Sequence, residues 1–257
     1  MKINGNHAFN GGNYRMVYDL SRFSDDEMYA CALALRNMDK HSQNIEDVAS
    51  GMVRHLYENL IDRQTGQRAC ALVRFFMTCP FMELSAELQS AAQEIVSGRS
   101  IVSTTKCLTL MATAGDEPQW NSRKSSTGHK AIPLVDRDFI SRAPMISQLI
   151  HQFGLDVNML LEPDPDILMD LEKTTFNVFY VPEAVGSAHI PAQTEFVVPY
   201  QIKSVLGFGG MLPSGNLFAI ILFTKTKVSP EAAELFKWIS AYARISVASL
   251  DKRAVFA

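Results

Sequence analysis

The sequence predicts an α+β protein: a central antiparallel sheet of about six strands with its helices gathered on one side. Three features point to it. Two strand-rich runs near the end, "IKSVLGFGGML" and "LFAIILFTKT", are joined by the tight turn "PSGN", which reads as an antiparallel hairpin. An amphipathic helix, "PEAAELFKWISAYARISVASL", follows that hairpin directly. Two further amphipathic helices precede the first strand-like run.

Taken in order, residues 1–23 are Gly- and Asn-rich and read as a flexible N-terminal segment. "SDDE" (24–27) is a capping box, with Ser24 as N-cap and Glu27 reaching back. The helix it opens carries Met28, Cys31, Leu35 and Met38 on one face. Asn44 begins the next helix. There Ile45, Val48, Met52, Leu56 and Leu60 recur at helical spacing, and Gly66 is its expected close. "ACALVRFFM" (69–77) is a strand, "LSAELQSAAQEIVSG" a helix ending at Gly98, and "KCLTLMATAG" (106–115) a strand. After the polar loop "PQWNSRKSSTGHKAIPL" (118–134), Pro144 opens a helix that Gly154 stops. "EPDPD" (162–166) reads as a turn, "TTFNVFYV" (174–181) as a strand, "PEAVGSAHIPAQT" as a long loop and "EFVVPY" as another strand. Ser229 and Pro230 open the last helix, whose stripe is Leu235, Phe236, Ile239, Tyr242, Ala243, Val247 and Leu250. No repeat or linker divides residues 24–250, which read as one domain with a tail at 251–257.

Composition narrows the function classes. Hydrophobic residues make up 47% and charged residues 20%, as in ordinary folded proteins. The net charge is −3 and no basic run exists, so the phosphate neutralisation that nucleic-acid binding requires is not provided for. The longest apolar runs, such as "FAIILF" (218–223), are too short to span a bilayer, and the first residues lack a signal-peptide core. The expectation is a cytoplasmic protein with no membrane partner. The 4 cysteines, Cys31, Cys70, Cys79 and Cys107, show no CxxC spacing and read as free packing residues.

The stretch "EFVVPYQIKSVLGFGGMLPSGNLFAIILFTKTKVSPEAAELFKWISAYARISVA" resembles the closing third of a GAF domain. The loop "YVPEAVGSAHIP" looks like the variable GAF loop, and "NIEDVASGMVRHLYENL" like the first GAF helix. In layout the resemblance spans roughly residues 40–250, and it is most specific from about residue 176 onward. It implies a sensory fold of the kind that forms the input region of bacterial histidine kinases and related proteins. Such a fold has a six-stranded sheet, a ligand cavity on one face, and terminal helices that form a dimer bundle. It further implies a small-molecule ligand, a homodimer, and an output kinase or other signalling domain as partner. The "NKFDE" motif of cyclic-nucleotide-binding members and the bilin-carrying cysteine are both absent. The resemblance therefore names no cofactor.

In that layout the 118–131 loop can reach the ligand. Trp120 supplies a stacking face and Arg123 a planar fork for a carboxylate or phosphate. Asn121 and Ser126 can fix orientation, and His129 can donate, accept or bind metal. Arg74 could point into the cavity as an anion clamp, or lie on the outer face of an edge strand. Tyr180, on a strand, and His189, in the variable loop, complete the ligand-binding candidates. Polar loop residues are equally at home in solvent, with Trp120 simply pinning the loop down. No catalytic residues are assigned and no metal set is evident. Two rival readings stand: a thiol-dependent, methionine-sulfoxide type of reductase using Cys70, Cys79 and Cys107, and a haem or metal sensor using His151 or His189.

Overall fold

The capping box forms as expected. Ser24 Oγ accepts from Glu27 N at 3.3 Å and Glu27 Oε2 accepts from Ser24 N at 3.2 Å, which starts α1 (Asp25–Arg36). Asn44 Oδ1 likewise accepts from Asp47 N at 2.9 Å and starts α2 (Ile45–Asn59). The computed structural model describes residues 16–96, 99–126, 129–161 and 177–251. The expected "EPDPD" turn with Asp164 and Asp166, the beginning of the 174–181 strand, and Gly98 lie outside the described residues.

Helix α2 ends before Gly66. The chain passes straight into β2 (Leu60–Asp62), and Gly66 (φ +68°) serves the turn to β3 (Gln67–Arg68). Beyond the helix, Asp62 shapes the turn: its carboxylate accepts from Gln64 N and Thr65 N. Strand β1 (Tyr18–Asp19) pairs with β2, so the packed body starts ahead of Ser24: Tyr18, Leu20 and Phe23 are all buried.

The main sheet has 6 strands: β4 (Cys70–Pro80), β5 (Lys106–Gly115), β6 (Ala131–Pro133), β7 (Val178–Val181), β8 (Ser204–Met211) and β9 (Leu217–Thr224). Its order is β6-β5-β4-β9-β8-β7, every neighbour antiparallel. This is the six-stranded antiparallel α+β arrangement that the sequence predicts. Arg74 is therefore on an interior strand, held between β5 and β9.

The three longest helices, α1, α2 and α7 (Pro230–Ala248), lie on one face. Val73, Phe75 and Met77 of β4, Phe208 of β8 and Phe218 of β9 meet Leu35, Met52, Leu56 and Phe236 there. The opposite face is covered by shorter pieces: α4 (Arg137–Ser141), α5 (Pro144–Gln152), α6 (Val157–Leu161) and the chain from 182 to 202. Helix α3 (Ala86–Val96) lies beside β6. With both faces covered, the central strands are apolar on both sides, which is why they read as continuous hydrophobic runs.

"EFVVPY" (195–200) is not a strand. Gln193–Val197 forms a π-helical turn instead. The side chain of Gln193 donates to Ala184 O (2.9 Å) and Ile190 O (2.6 Å) and pins that turn, while Pro199 has no N–H to give a ladder. Among the described residues no helix is long and apolar enough to cross a membrane.

A polar trio, with Tyr18 and Asn59 buried and His55 half-buried between them, joins β1 to α2. Tyr18 Oη lies 3.0 Å from His55 Nε2, and Asn59 Nδ2 lies 3.2 Å from His55 Nδ1. An amide N–H facing Nδ1 requires that nitrogen to be an acceptor, so the ring is neutral with its proton on Nε2. Burial lowers the His55 pKa, against a smaller opposing effect of Glu58. The folded pKa is depressed, so the unfolded chain binds the proton first. Stability is then expected to fall as pH drops below about 6.5, down to the folded pKa. His55→Gln should flatten that part of the profile. An unchanged slope of denaturation midpoint against pH between 7 and about 5 would reject it.

Candidate functional site

Strand β4 alternates. Val73, Phe75 and Met77 face the long helices, which turns Arg74 to the opposite face, under the 118–130 loop. Arg74 is only 9% exposed. One Nη donates to Ser126 Oγ at 3.1 Å, and Ser126 is itself buried. Among the described residues the Nε of Arg74 has no partner and no carboxylate pairs with the guanidinium. Directly across the β4–β5 ladder stands Thr113, whose buried Oγ1 is also without a hydrogen bond among the described residues. Burial brings the Arg74 pKa down to about 10, which still leaves it a cation at neutral pH. His129, with a backbone φ of 52°, lies near enough for the charge of Arg74 to act on it. Its imidazolium is disfavoured first by loss of solvent around the ring and then by repulsion from Arg74.

The structure thus brings Arg74, Ser126 and His129 together and adds Thr113. The sequence carried a signal for Thr113 only in retrospect, as a polar position within an otherwise apolar strand.

The rest of the loop is engaged mostly with neighbouring elements. Trp120 is buried, its ring centroid 4.5 Å from Tyr200 and 5.6 Å from Phe196, which in turn meets Phe223 edge-on at 4.9 Å. It holds the loop against the 193–200 turn. Asn121 clamps the end of β5: its Oδ1 accepts from Gly115 N (3.2 Å), and its Nδ2 donates to Gly115 O (3.0 Å) and Glu117 O (2.9 Å). Arg123 places Nε (3.1 Å) and Nη2 (2.9 Å) on Glu46 Oε1 of α2. Glu46 is 77 positions away, so nothing in the sequence marks it as a partner. Tyr180 packs toward the long-helix face, and its hydroxyl donates to Val228 O. His189 is half-buried in the 182–192 loop with its backbone N–H on Ser187 Oγ. Neither bonds to Arg74, Ser126 or His129.

A cleft of about 300 Å³ opens beside the loop, lined among others by Glu46, Ser50, Arg54, Thr113, Asn121 and Lys124. It runs along the outer edge of β5.

Cys31, Cys70, Cys79 and Cys107 are free and buried. Burial pushes all four thiols up to about 12, so thiolate, the reactive form, is scarce at neutral pH. That opposes the thiol-reductase reading. Among the described residues no cluster of His, Cys, Asp or Glu could hold a metal ion.

No protein-family profile matches the sequence, and no curated protein matches it. Similar solved structures include the bacteriophytochrome RpBphP3 from the photosynthetic bacterium R. palustris, with TM-score 0.41 and 8% identity over 90% of this chain and 39% of that one. This chain therefore spans about two fifths of that structure. Others are the phycocyanobilin-bound GAF domain of a cyanobacterial phytochrome (TM-score 0.40, 9% identity, 87% of this chain and 94% of that one) and the N-acylhomoserine lactone dependent LuxR family factor CepR2 from Burkholderia cenocepacia (TM-score 0.39, 9% identity, 89% and 99%).

Proposed function

We propose that this chain is a regulatory domain that binds a small anionic molecule beneath the 118–130 loop and passes that event to a partner. Arg74 carries the reading. A guanidinium this buried, with one neutral hydrogen-bond partner and no carboxylate among the described residues, is costly unless an anion joins it. Ser126 orients the fork, Thr113 Oγ1 offers a further polar atom on the same face, and the aromatic cluster around Trp120 keeps water from that side.

Transmission follows from the position of Arg74. Its strand carries the ligand group on one face and the α2 contacts on the other, so an anion preferring one β4–β5 arrangement biases the helix layer. Helix α7 exposes Trp238 (61%) and Ile245 (50%), with half-buried Leu235 and Tyr242 on the same stripe. We assign a homodimer contact there, with an output domain such as a kinase as the downstream partner. Trp238→Glu should convert a dimer to a monomer in sedimentation. A parent that is monomeric at ~20 µM, where a standard-size interface holds, would reject the contact.

The ligand reading is tested by native mass spectrometry of the protein as purified, beside Arg74→Met. The parent should retain an anionic molecule and the variant should not. The variant should melt at or above the ligand-free parent, because an uncompensated buried charge has been removed. A parent that retains nothing and is not stabilised by acetate, succinate, citrate or phosphate, with a variant that melts several degrees lower, would make Arg74 a structural residue.

A further inference from the structure

The outer edge of β5 is covered at both ends and open between them. From Lys106 to Leu110 it is paired: Leu134 N donates to Lys106 O (2.8 Å), β6 runs opposite Cys107–Thr109, and Leu110 N donates to Lys130 O (2.8 Å). At the far end the Asn121 side-chain amide takes both the N–H and the C=O of Gly115, as a neighbouring strand residue would. The register slips by one residue between these points, where Phe75 and Phe76 face Ala112 and Leu110. Past the slip, Asp116 N turns inward to Ala71 O and Gly115 outward to Asn121, so alternation turns the Thr113 N–H and C=O outward as well. Neither group has a partner beyond the edge among the described residues.

The 300 Å³ cleft lies at this gap. Helix α2 borders it with Glu46, Ser50 and Arg54, and the loop borders it with Asn121 to Lys124. Arg123 neutralises Glu46. Arg54 and Lys124 have exposed side chains and no carboxylate partner among the described residues, so the cleft keeps a positive rim.

We propose that this gap is a second binding site, independent of Arg74, for an extended secondary amide that carries a carboxylate: an acylated acidic amino acid or the acidic end of a short peptide. One residue of the ligand makes both bonds: its N–H donates to Thr113 C=O, and its own C=O (the α-carboxylate of an acylated amino acid, or the next peptide carbonyl) accepts from Thr113 N–H, as one residue of an added antiparallel strand does. The side-chain carboxylate lies between Arg54 and Lys124. Because Asn121 and Lys130 close the two ends, the site admits one residue's worth of pairing and rejects a long added strand.

The test is an ¹⁵N NMR titration of the full chain with N-acetylaspartate and with acetyl-Ala-Asp. Succinate, which lacks the amide, and N-acetyl-N-methylaspartate, which lacks the N–H, serve as controls. The Thr113 amide signal should move downfield and saturate with both probes. Each control should bind about tenfold more weakly or worse. The double variant Arg54→Gln, Lys124→Gln changes only exposed side chains and should weaken the probes by about tenfold. Tighter binding of the peptide assigns the site to chain ends, and tighter binding of N-acetylaspartate to free acylated acids. No Thr113 shift at ~10 mM probe, controls that bind as well as the probes, or indifference to the double variant would each overturn the proposal. Arg74→Met should leave this titration unchanged, which separates it from the ligand reading above.

Discussion

Trp120→Ala is expected to lower the unfolding free energy by about 3 kcal/mol or more, the usual loss for emptying a buried aromatic site. The indole is 8% exposed and lies between the loop and the Tyr200–Phe196 pair, so its removal leaves a hole lined by rings that cannot collapse together. For a domain of this size the melting temperature should fall by roughly 6–12 °C. Affinity for any bound anion should fall only as far as the loop loosens. A variant that melts with the parent but loses ligand would restore Trp120 to the stacking role that the sequence suggests.

Gly209→Ala should be worse. A Cβ there would stand 2.0 Å from Phe218 O and 2.8 Å from Ala219 Cα, both backbone atoms of the paired strand β9. Strand β8 cannot retreat, because Ser240 of α7 donates to Gly209 O at 2.7 Å in the buried layer beneath. Overpacking against backbone on an anchored strand should cost about 3 kcal/mol or more and reduce soluble yield. Gly66→Ala is the contrast: its φ of +68° strains any other residue, but no atom lies within 4 Å of the new methyl, so about 1 kcal/mol is expected. Equal denaturant midpoints for the two variants would show that β8 and β9 part more easily than their packing implies.

The parts of the fold legible in the sequence are those decided locally. The Ser24 and Asn44 caps, the 106–115 strand, the 213–216 turn and the last helix each depend on neighbours a few positions apart. What was missed depends on distant partners. The 195–200 stretch has strand-forming residues, but Gln193 and the Trp120 cluster hold it as a turn. Tyr18 and Asp19 look like part of a loose leader until β2 supplies their pairing. The site follows the same division. Arg74, Ser126 and His129 could be named from the sequence as residues with useful chemistry. That Arg74 sits on an interior strand, and that Arg123 is engaged by Glu46, emerges only when strands and helices assemble.

The slip between β4 and β5 sets a parity for the chain. Before it the even-numbered residues 106, 108 and 110 turn toward the outer edge, and after it the odd-numbered 113 and 115 do. Met111 is the extra residue of that slip, so removing it would leave Leu110, Ala112 and Thr113 opposite their present partners and close the strand into an unbroken alternation. Removing Ala114 instead would turn Gly115 inward, and Asn121 would meet the wrong groups. Length changes in "LMATAG" are therefore unequal by position: the slip can absorb the loss of one residue, while the strand beyond it can absorb none without inverting its two sides.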